Sequence, residues 1–464
     1  MLEQVKRVHM VGIGGIGMSG IARLLHTLGY EVGGSDLVFS QSVQRLQDVG
    51  IRVRKGHDSS YLDAPDLVVV SSAVPDDNPE VVEASRRQIP IFGRGEILAE
   101  LALLKRSVAV AGSHGKTTTA SMVALLLEAA GFDPTAVIGG VVRAFGGNTR
   151  HGDGAFIVLE ADESDRSFLH LRPDIAVLTN IDDEHLDAYD GFEGLTAAFE
   201  EFANRVPKTG RVVVCVDDPV LAVIAKRLAS RALTYGTDDT AASVRAHDIV
   251  LEPAGSSCLV TLSLGGLTKE ITLRLSVPGQ HNVSNALAAI ATATCLGIDA
   301  ETAVNALESF TGVERRFQRY RTSNNIDVVD DYAHHPTEIA AVIDTARLSC
   351  PRRLVVLFQP HRYTRTARLL ARFGETLACA DEVLLTNVYA ASESPIEGAD
   401  AFAIAAEIKN IAPIPVQVVE SVDLAVERAV ASVDVGDMLV VLGAGSISKV
   451  AKRVVDSIEQ RRRL

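Results

Sequence analysis

The chain has 464 residues, a length that predicts about three domains, each with a buried core. Its hydrophobic fraction of 47% and charged fraction of 22% are typical of a soluble globular protein. The net charge of −14 argues against a general affinity for nucleic acids or membrane surfaces, so we expect neither as a partner.

The five cysteines are widely scattered and include no Cys-x-x-Cys pair. They predict small core residues of a reducing compartment, and neither a disulfide framework nor a zinc site. No cleavable signal is evident, and no apolar run reaches the roughly 20 residues of a membrane helix. We therefore expect a cytoplasmic protein with no membrane insertion, either a monomer or a homodimer.

At three places far apart in the chain, the sequence predicts a strand that is followed by a glycine turn and a helix, and we call each such segment an opening. The first opening is at the N-terminus. There an apolar run meets Gly12-x-Gly14-x-x-Gly17, and Asp36 follows about 20 residues later, where a ribose-binding acid belongs. This turn predicts a diphosphate on a helix N-terminus, and a nucleotide sugar fits it as well as NAD does. A dinucleotide-dependent oxidoreductase and a simple packing turn both remain alternatives at this point.

The second opening is the most informative stretch, a strand followed by Gly-Ser-His-Gly-Lys-Thr at 112–117 and an apolar helix. Backbone N–H groups and the helix N-terminus predict a triphosphate cradle, in which Lys116 adds a charge and Thr117 offers an oxygen to Mg²⁺. The pattern departs from the usual loop because Val110 stands in place of the first glycine. An ordinary strand-to-helix turn that carries a lysine is the alternative.

Two further strands end in polar clusters. The apolar segment 156–159 is followed by four acids within 160–165. The apolar segment 175–178 is followed by Asn180, three acids and His185. Beside a triphosphate loop, the carboxyl ends of parallel strands are suited to hold Mg²⁺, so we expect the acid cluster to bind metal and His185 to bind metal or phosphate. A solvated acidic loop and a structural histidine are the alternatives.

The C-terminal half predicts a cationic patch in an otherwise acidic protein. Pro-Gly-Gln-His-Asn at 278–282 opens an alanine-rich helix, and Arg315-Arg316 supplies paired guanidinium groups suited to a phosphate. Two strand-end loops, 330–336 and 359–365, are dense in His, Arg and Tyr. The third glycine turn follows the strand 438–442. These features indicate phosphoryl transfer between a nucleotide and a second bound substrate.

The middle of the chain departs from a purely parallel pattern. Residues 258–275 alternate apolar and polar side chains, with turn signals at Gly255 and at Gly265-Gly266. Such alternation predicts hairpin strands, and therefore a mixed sheet in the middle domain.

Over nearly its whole length the chain resembles the Mur ligases of bacterial peptidoglycan synthesis. The motifs that carry the resemblance stand in a fixed order at 12–20, 112–119, 160–169, 180–187, 279–282, 315–317, 330–336, 359–366 and 443–449. The resemblance implies an α/β fold of three domains. We expect a Rossmann-like UDP-sugar-binding domain at 1–105, a central P-loop ATPase domain with a mixed sheet at 106–311, and a C-terminal Rossmann-like domain at 312–464 that receives an amino acid.

The activity that the resemblance implies is an ATP-dependent ligation. L-alanine would be joined to the lactyl carboxylate of UDP-N-acetylmuramate through an acyl phosphate, with ATP and Mg²⁺ required. The loop 359–365 resembles that of the alanine-adding members. The alternatives are a recycling ligase that attaches a ready-made tripeptide to the same sugar, and a nucleotide-binding scaffold without turnover.

Roles for individual residues are also implied by the resemblance. The residues expected to take part in catalysis are Lys116, Glu160, His185, Arg316 and His334. The residues expected to bind ATP are Gly112, Ser113, His114, Gly115, Lys116, Thr117, Thr118, Asn180, His281, Asn282 and Asp331. The expected Mg²⁺ ligands are Thr117, Glu160 and His185. The residues expected to bind the UDP sugar or the amino acid are Gly14, Gly15, Gly17, Met18, Ser19, Tyr332, His361, Arg362 and Arg365.

Overall fold

The structure is a computed structural model that describes residues 2–461 and contains three β-sheets with helices between their strands. Its internal contacts divide it into two compact units. The first unit holds the first two sheets, and the second unit holds the third sheet together with Val250–Ser256 and Ser276–His281. The three-domain α/β fold expected from the sequence is confirmed, whereas the exact domain limits stay a prediction.

The first sheet has five parallel strands in the order β3-β2-β1-β4-β5. The strands are β1 (Arg7–Val11), β2 (Glu31–Asp36), β3 (Arg52–Lys55), β4 (Leu67–Val70) and β5 (Ile91–Gly93). The helices are α1 (Ile16–Thr27), α2 (Gln41–Asp48), α3 (Pro79–Arg86) and α4 (Arg94–Ala102). This order has its switch point between β1 and β4, so the glycine turn after β1 opens where such sheets bind ligands.

The second sheet has ten strands in the order β15-β14-β13-β12-β11-β10-β6-β9-β7-β8. The strands are β6 (Arg106–Ala111), β7 (Thr135–Val142), β8 (Gly147–Arg150), β9 (Phe156–Glu160), β10 (Ile175–Leu178), β11 (Arg211–Cys215), β12 (Ala232–Gly236), β13 (Val244–Glu252), β14 (Gly255–Leu264) and β15 (Leu267–Leu275). The helices are α5 (Lys116–Ala129), α6 (Gly191–Asn204), α7 (Pro219–Leu228), α8 (Gln280–Cys295) and α9 (Ala300–Glu308).

This second sheet is mixed, as the alternating sequence predicted. β7 and β8 pair antiparallel, whereas β6, β9, β10 and β11 run parallel. The neighbouring strands β14 and β15 form the predicted hairpin, whose two turn residues Gly265 and Gly266 have φ of +57° and +82°. Positive φ at both positions is the geometry that fits the twist of a hairpin, and glycine adopts it without strain.

The third sheet has six strands in the order β16-β17-β21-β18-β19-β20, with only β16 antiparallel. The strands are β16 (Gln318–Arg321), β17 (Asp327–Asp331), β18 (Leu354–Phe358), β19 (Glu382–Thr386), β20 (Val416–Val419) and β21 (Met438–Leu442). The helices are α10 (Pro336–Arg347), α11 (Tyr363–Arg368), α12 (Leu370–Leu377), α13 (Ala401–Ile411), α14 (Val422–Ser432) and α15 (Val450–Arg461). Alternate residues of β18 and β21 belong to two separate apolar clusters, so helices cover both faces of this sheet.

Two expectations need correction. Asp330 and Asp331 were expected in a loop after a strand, but both lie inside β17 and are buried. The strand continues because Arg315 pairs with Asp330 and backbone N–H groups bind Asp331, so the two carboxylates have partners in the interior. The cysteines are free as expected, but Cys350 and Cys379 are exposed and are not core residues.

No helix among residues 2–461 has both the length and the hydropathy that are needed to cross a membrane.

A buried polar cluster lies beneath the first glycine turn. The carboxylate of Glu80, on α3, is fully buried and accepts a hydrogen bond from Ser35 at 2.6 Å. Ring nitrogens of His9 and His57 lie 2.5 and 2.7 Å from its two oxygens. Burial alone would raise the pKa of Glu80, but hydrogen bonds from His9, Ser35 and His57 outweigh it and lower the pKa. The cluster thus holds a charged carboxylate in the interior and ties β1, β2, α3 and the segment after β3 together.

Replacing Glu80 by alanine should lower the free energy of unfolding by about 2–4 kcal/mol, because His9, Ser35 and His57 lose their shared partner. Urea unfolding of Glu80→Ala and of the control Glu31→Ala, an exposed partner of Arg7, measures this difference. Folding lowers the pKa of Glu80. Its contribution to the free energy of unfolding is therefore complete above the pKa that Glu80 has in the unfolded chain, and it is lost as the pH falls from there through the lower pKa of the folded state. Equal effects of the two substitutions would contradict the role of Glu80.

Candidate functional site

The loop between β6 and α5 has a backbone that only glycine allows at two positions. Gly112 and Gly115 have φ of +148° and +80°. A Cβ at Gly112 would overlap the Oγ1 of Thr179, and one at Gly115 would lie 2.5 Å from the Oδ1 of Asn285. The tight turn brings the N-terminus of α5 directly after β6, where its first N–H groups have no acceptor within the helix. The predicted phosphate-type loop is therefore present in shape, and Val110 inside β6 does not prevent it.

Lys116, the first residue of α5, folds back into this loop. Its Nζ donates to the carbonyl oxygens of Gly112 and Ser113 at 2.6 and 3.2 Å, and it lies 2.8 Å from an oxygen of Glu163. Burial alone would lower the pKa of Lys116, but Glu163, Asp162 and Glu160 outweigh it and raise the pKa. The ammonium group is therefore a permanent positive charge at the mouth of the loop.

Thr117 and Glu160 form the second part of the site. The hydroxyl of Thr117 lies 3.1 and 3.0 Å from the two carboxylate oxygens of Glu160, and Glu160 also accepts a hydrogen bond from the backbone N–H of Gly139 at 2.7 Å. A hydroxyl and a carboxylate side by side are the hard oxygen donors that Mg²⁺ prefers. This pair therefore fits the metal that the sequence predicts, next to the charge of Lys116.

The end of β10 holds the loop in place. The side-chain amide of Asn180 binds the backbone of His114 on both sides, accepting from its N–H at 2.8 Å and donating to its carbonyl oxygen at 3.1 Å. Thr179 donates to the same carbonyl oxygen at 2.6 Å, and the ring of His114 lies 2.8 Å from an oxygen of Asp182. Asn180 therefore supports the loop itself. Its expected contact with ATP stays a prediction.

His185 follows in the same segment and has an unusual backbone. Its φ is +56°, and its Nε2 lies 3.8 Å from an oxygen of Glu184. Positive φ at a residue with a Cβ is uncommon and points to a local constraint on the direction of the side chain. The expected role of His185 beside Glu160 in holding a metal stays a prediction.

The first glycine turn is held by Asp36, the last residue of β2. One oxygen of Asp36 accepts the N–H of Gly14 at 2.8 Å, and the other accepts the N–H of Val38 at 2.9 Å. A Cβ at Gly14 would lie 2.9 Å from the same carboxylate. The acid that the sequence placed at a ribose is thus engaged in shaping the turn, and its contact with a ribose stays a prediction.

The start of α1 offers backbone groups more than side chains. The side chains of Met18 and Ser19 are buried, and the hydroxyl of Ser19 donates to the carbonyl oxygen of Ile16 at 3.0 Å. Gly15 and Gly17 lie at the beginning of the helix, whose first N–H groups point towards an approaching anion. Binding of a diphosphate by these residues would therefore use the backbone.

The segment that opens α8 splits into two parts. In the first unit, the Oδ1 of Asn282 accepts from Asn285 at 3.3 Å, and Asn285 in turn accepts from Thr119 on α5 at 3.0 Å. In the second unit, burial and the charge of Arg316 lower the pKa of His281 to about 4, so this imidazole is neutral at pH 7. Contact of either residue with ATP stays a prediction.

Aromatic and basic side chains meet at the carboxyl end of the third sheet. The ring of His361 stacks on the ring of Tyr389, with 5.4 Å between the ring centroids. The centroid of the His334 ring lies 5.7 Å from that of His361. The guanidinium of Arg365 lies 3.2 Å from Nδ1 of His361 and is itself buried. Because Arg365 can only donate, Nδ1 of His361 accepts. The sequence brought His334, His361 and Arg365 into one predicted cluster, and the structure brings them together.

Three further arginines belong to the predicted cationic patch. The guanidinium groups of Arg315 and Arg316 lie 5.3 and 5.2 Å from the ring centroid of Tyr332, within the range of a cation–π contact. Arg316 also lies 3.7 Å from an oxygen of Glu338. Arg362 has a φ of +69° and lies 3.7 Å from Glu393. Each of these three arginines therefore has a carboxylate neighbour, and the cationic character expected of this patch stays a prediction.

Asp331 has its carboxylate turned to the backbone. It accepts the N–H groups of Phe317 and Ala333 at 2.6 and 2.7 Å. Burial raises its pKa, with Arg316 opposing the shift. The carboxylate therefore shapes the loops around β17, and its expected contact with the nucleotide stays a prediction.

Sequence reasoning did not single out several residues that shape the site. Glu163 was one acid among four, Thr179 was only a strand end, and Tyr389 and Glu338 were not considered. Glu163 follows a strand next to the loop, which is a usable signal. Tyr389 lies outside every motif, and only the parallel bridge between His361 and Tyr389 brings it to the cluster.

Comparisons with known proteins identify the family to which the chain is similar. Three family descriptions match the chain in order: "Mur ligase family, catalytic domain" at residues 7–106, "Mur ligase middle domain" at 110–293, and "Mur ligase, glutamate ligase domain" at 315–445. Together they span most of the chain.

Curated relatives and solved structures are similar over the full length. The UDP-N-acetylmuramate–L-alanine ligase of Solibacter usitatus is 47% identical over 99% of this chain and 96% of its own, and that of Geotalea daltonii is 47% identical over 99% and 100%. The crystal structure of UDP-N-acetylmuramate–alanine ligase from Thermotoga maritima matches with a TM-score of 0.84 and 32% identity, covering 99% and 100%. A murein peptide ligase from Psychrobacter arcticus matches with a TM-score of 0.75 and 28% identity, covering 98% and 99%.

Gly112→Ala should abolish measurable binding of Mg²⁺-ATP, because a Cβ at this position overlaps Thr179 and the backbone has a positive φ. The control is Gly131→Ala, which also has a positive φ of +79° but has no heavy atom within 4 Å of the added carbon. Titration calorimetry of both variants with Mg²⁺-ATP measures the difference. Nucleotide binding that survives in Gly112→Ala, or that is lost equally in both variants, would contradict the assigned loop.

Proposed function

The chain belongs to the Mur ligase family, and from this premise we propose that it joins L-alanine to the lactyl carboxylate of UDP-N-acetylmuramate while ATP is converted to ADP and phosphate. The observation that carries the reaction type is the loop in which Lys116 lies beside Thr117 and Glu160. Support for the substrates comes from relatives of that name, which are 47% identical over nearly the full length.

The chemistry explains why such an enzyme needs ATP. A carboxylate resists attack by an amine, because it carries negative charge and has no good leaving group. In the proposed first step, a lactyl carboxylate oxygen attacks the γ-phosphorus of ATP, the bond to the β,γ-bridging oxygen breaks, and ADP leaves. In the second step, the amine of L-alanine attacks the acyl carbon, phosphate leaves, and the amine loses a proton. The products are an amide, ADP and phosphate.

In the first step, the fixed positive charge of Lys116 stabilises the negative charge of the γ-phosphoryl group during its transfer. Its ammonium is already held at the loop by two carbonyl oxygens and by Glu163, so little reorganisation is needed when phosphates arrive. We propose that Thr117, Glu160 and His185 hold Mg²⁺. When bound, the ion neutralises phosphate charge.

The sugar nucleotide is proposed to bind at the first domain. Its diphosphate would lie on the N-terminus of α1, at the turn that Asp36 shapes through Gly14. The domain limits proposed for this division of labour are 1–105, 106–311 and 312–464.

The amino acid is proposed to bind at the cluster on the third sheet. A carboxylate of L-alanine would be matched by the buried guanidinium of Arg365, while His361 and Tyr389 provide a flat wall beside it. His334 lies against the same wall. Arg362 and Tyr332 complete the set of residues assigned to this substrate. The free cysteines fit a reducing compartment, and we place the reaction in the cytoplasm.

Phosphate release by the purified chain tests the proposal. UDP-N-acetylmuramate, Mg²⁺-ATP and L-alanine together should release phosphate and ADP in equal amounts, whereas omission of any one should stop release. Lys116→Ala should reduce the rate by about 1000-fold or more, and Lys208→Ala, an exposed lysine of the same domain, should not. Turnover retained in Lys116→Ala would contradict the assigned cradle. Turnover only with a tripeptide would replace alanine addition by the recycling reaction.

A further inference from the structure

Arg94 connects the first glycine turn to the acid cluster of the second sheet. It is the first residue of α4, immediately after the edge strand β5, and its side chain is 19% exposed. Its Nη2 lies 2.7 Å from an oxygen of Asp162 and 3.5 Å from an oxygen of Asp165. A charged group that is this well covered needs such partners, so the two carboxylates fix the position of the guanidinium.

The other side of the same guanidinium faces α1. A Cβ added to Gly17 would lie 2.9 Å from Nη1 of Arg94 and 3.3 Å from its Cδ. Gly17 is the second residue of α1 and the last glycine of the turn, so the absence of its side chain leaves room for the arginine. Nη2 is therefore directed to the acids, while Nη1 lies over the helix N-terminus where a diphosphate is proposed to bind.

The surrounding contacts keep this arrangement rigid. The carbonyl oxygen of Asp162 accepts from the N–H of Phe168 and the hydroxyl of Ser167 at 3.1 and 3.3 Å. Gly95 packs so closely against Ser167 that a Cβ there would overlap it. The first turn of α4 thus packs closely against the segment that carries Asp162 and Asp165.

The same segment leads directly to the ATP loop. Asp162 is followed by Glu163, whose carboxylate lies 2.8 Å from the ammonium of Lys116. Arg94 and Lys116 both lower the pKa of Asp162, against the effect of burial. A continuous path of contacts therefore runs from Gly17 through Arg94 and Asp162 to Glu163 and Lys116.

We propose that Arg94 is a further binding residue for the sugar nucleotide, whose guanidinium donates to the diphosphate on one side while Asp162 and Asp165 orient it on the other. The inference rests on the proposed function, since it assumes that a UDP sugar binds at the turn of α1. A planar guanidinium has five N–H donors in a fixed fork, so it serves two anions in different directions at once. A lysine ammonium at the end of a flexible chain lacks this fixed geometry.

The test compares affinities for UDP, UMP and uridine in wild type, Arg94→Gln and the control Arg86→Gln, measured by titration calorimetry or ligand-observed NMR. Arg86 is an exposed arginine on α3 that pairs with Glu83. Arg94→Gln should weaken the affinity for UDP by about 10- to 100-fold, because the charged contact with the diphosphate is lost. The affinity for UMP should fall by less, and the affinity for uridine should hardly change. Arg86→Gln should leave all three affinities unchanged.

A uniform loss for all three ligands would show a structural role only and would overturn the proposal, as would an unchanged affinity for UDP. If Arg94→Gln does not fold, Arg94→Lys serves in its place. It keeps the charge beside Asp162, and its single ammonium should still weaken UDP more than uridine. In turnover, either variant should raise the KM for the sugar nucleotide far more than that for ATP. A wild-type chain that binds no UDP would instead refute the proposed function itself.

Discussion

The ammonium of Lys116 and its buried partner Glu163 are the contact on which the rest of the site depends. A charge in the interior must be paired, and here it is paired by one carboxylate and two carbonyl oxygens of a turn that only glycines can form. The end of β10 secures that turn from the other side through Asn180. A triphosphate that enters the loop meets a cation whose position is already set.

Three carboxylates of the acid cluster at the end of β9 have different partners, and the fourth, Asp165, shares Arg94 with Asp162. Glu160 lies beside Thr117, Asp162 beside Arg94, and Glu163 beside Lys116. Because β9 ends at Glu160, Asp162 and Glu163 lie in a short irregular segment at the carboxyl end of a buried strand, where the regular alternation of strand side chains no longer applies. The metal-type donor, the link to the first domain and the counter-charge of the lysine are therefore supplied within a few residues.

Strands with continuous apolar runs could be predicted from the sequence almost to the residue, as β10 and β21 show, because burial on both faces leaves a strong local signal. The two acids inside β17 could not, since their burial depends on Arg315 and on the backbone of Phe317, which lie in a separate turn. The site divides in the same way. Glycine, lysine and acid motifs carry local signals, whereas Tyr389 reaches His361 only through the packing of the third sheet.

The central claim is that a γ-phosphoryl group is placed on the lactyl carboxylate before the amine attacks. Turnover of UDP-N-acetylmuramate labelled with ¹⁸O in that carboxylate, followed by mass spectrometry of the released phosphate, tests it directly. In the proposed sequence the carboxylate oxygen that attacks phosphorus leaves with the phosphate, so each phosphate formed should carry one ¹⁸O whenever both carboxylate oxygens are labelled. Phosphate that contains no label, with amide still formed, would contradict the acyl-phosphate route.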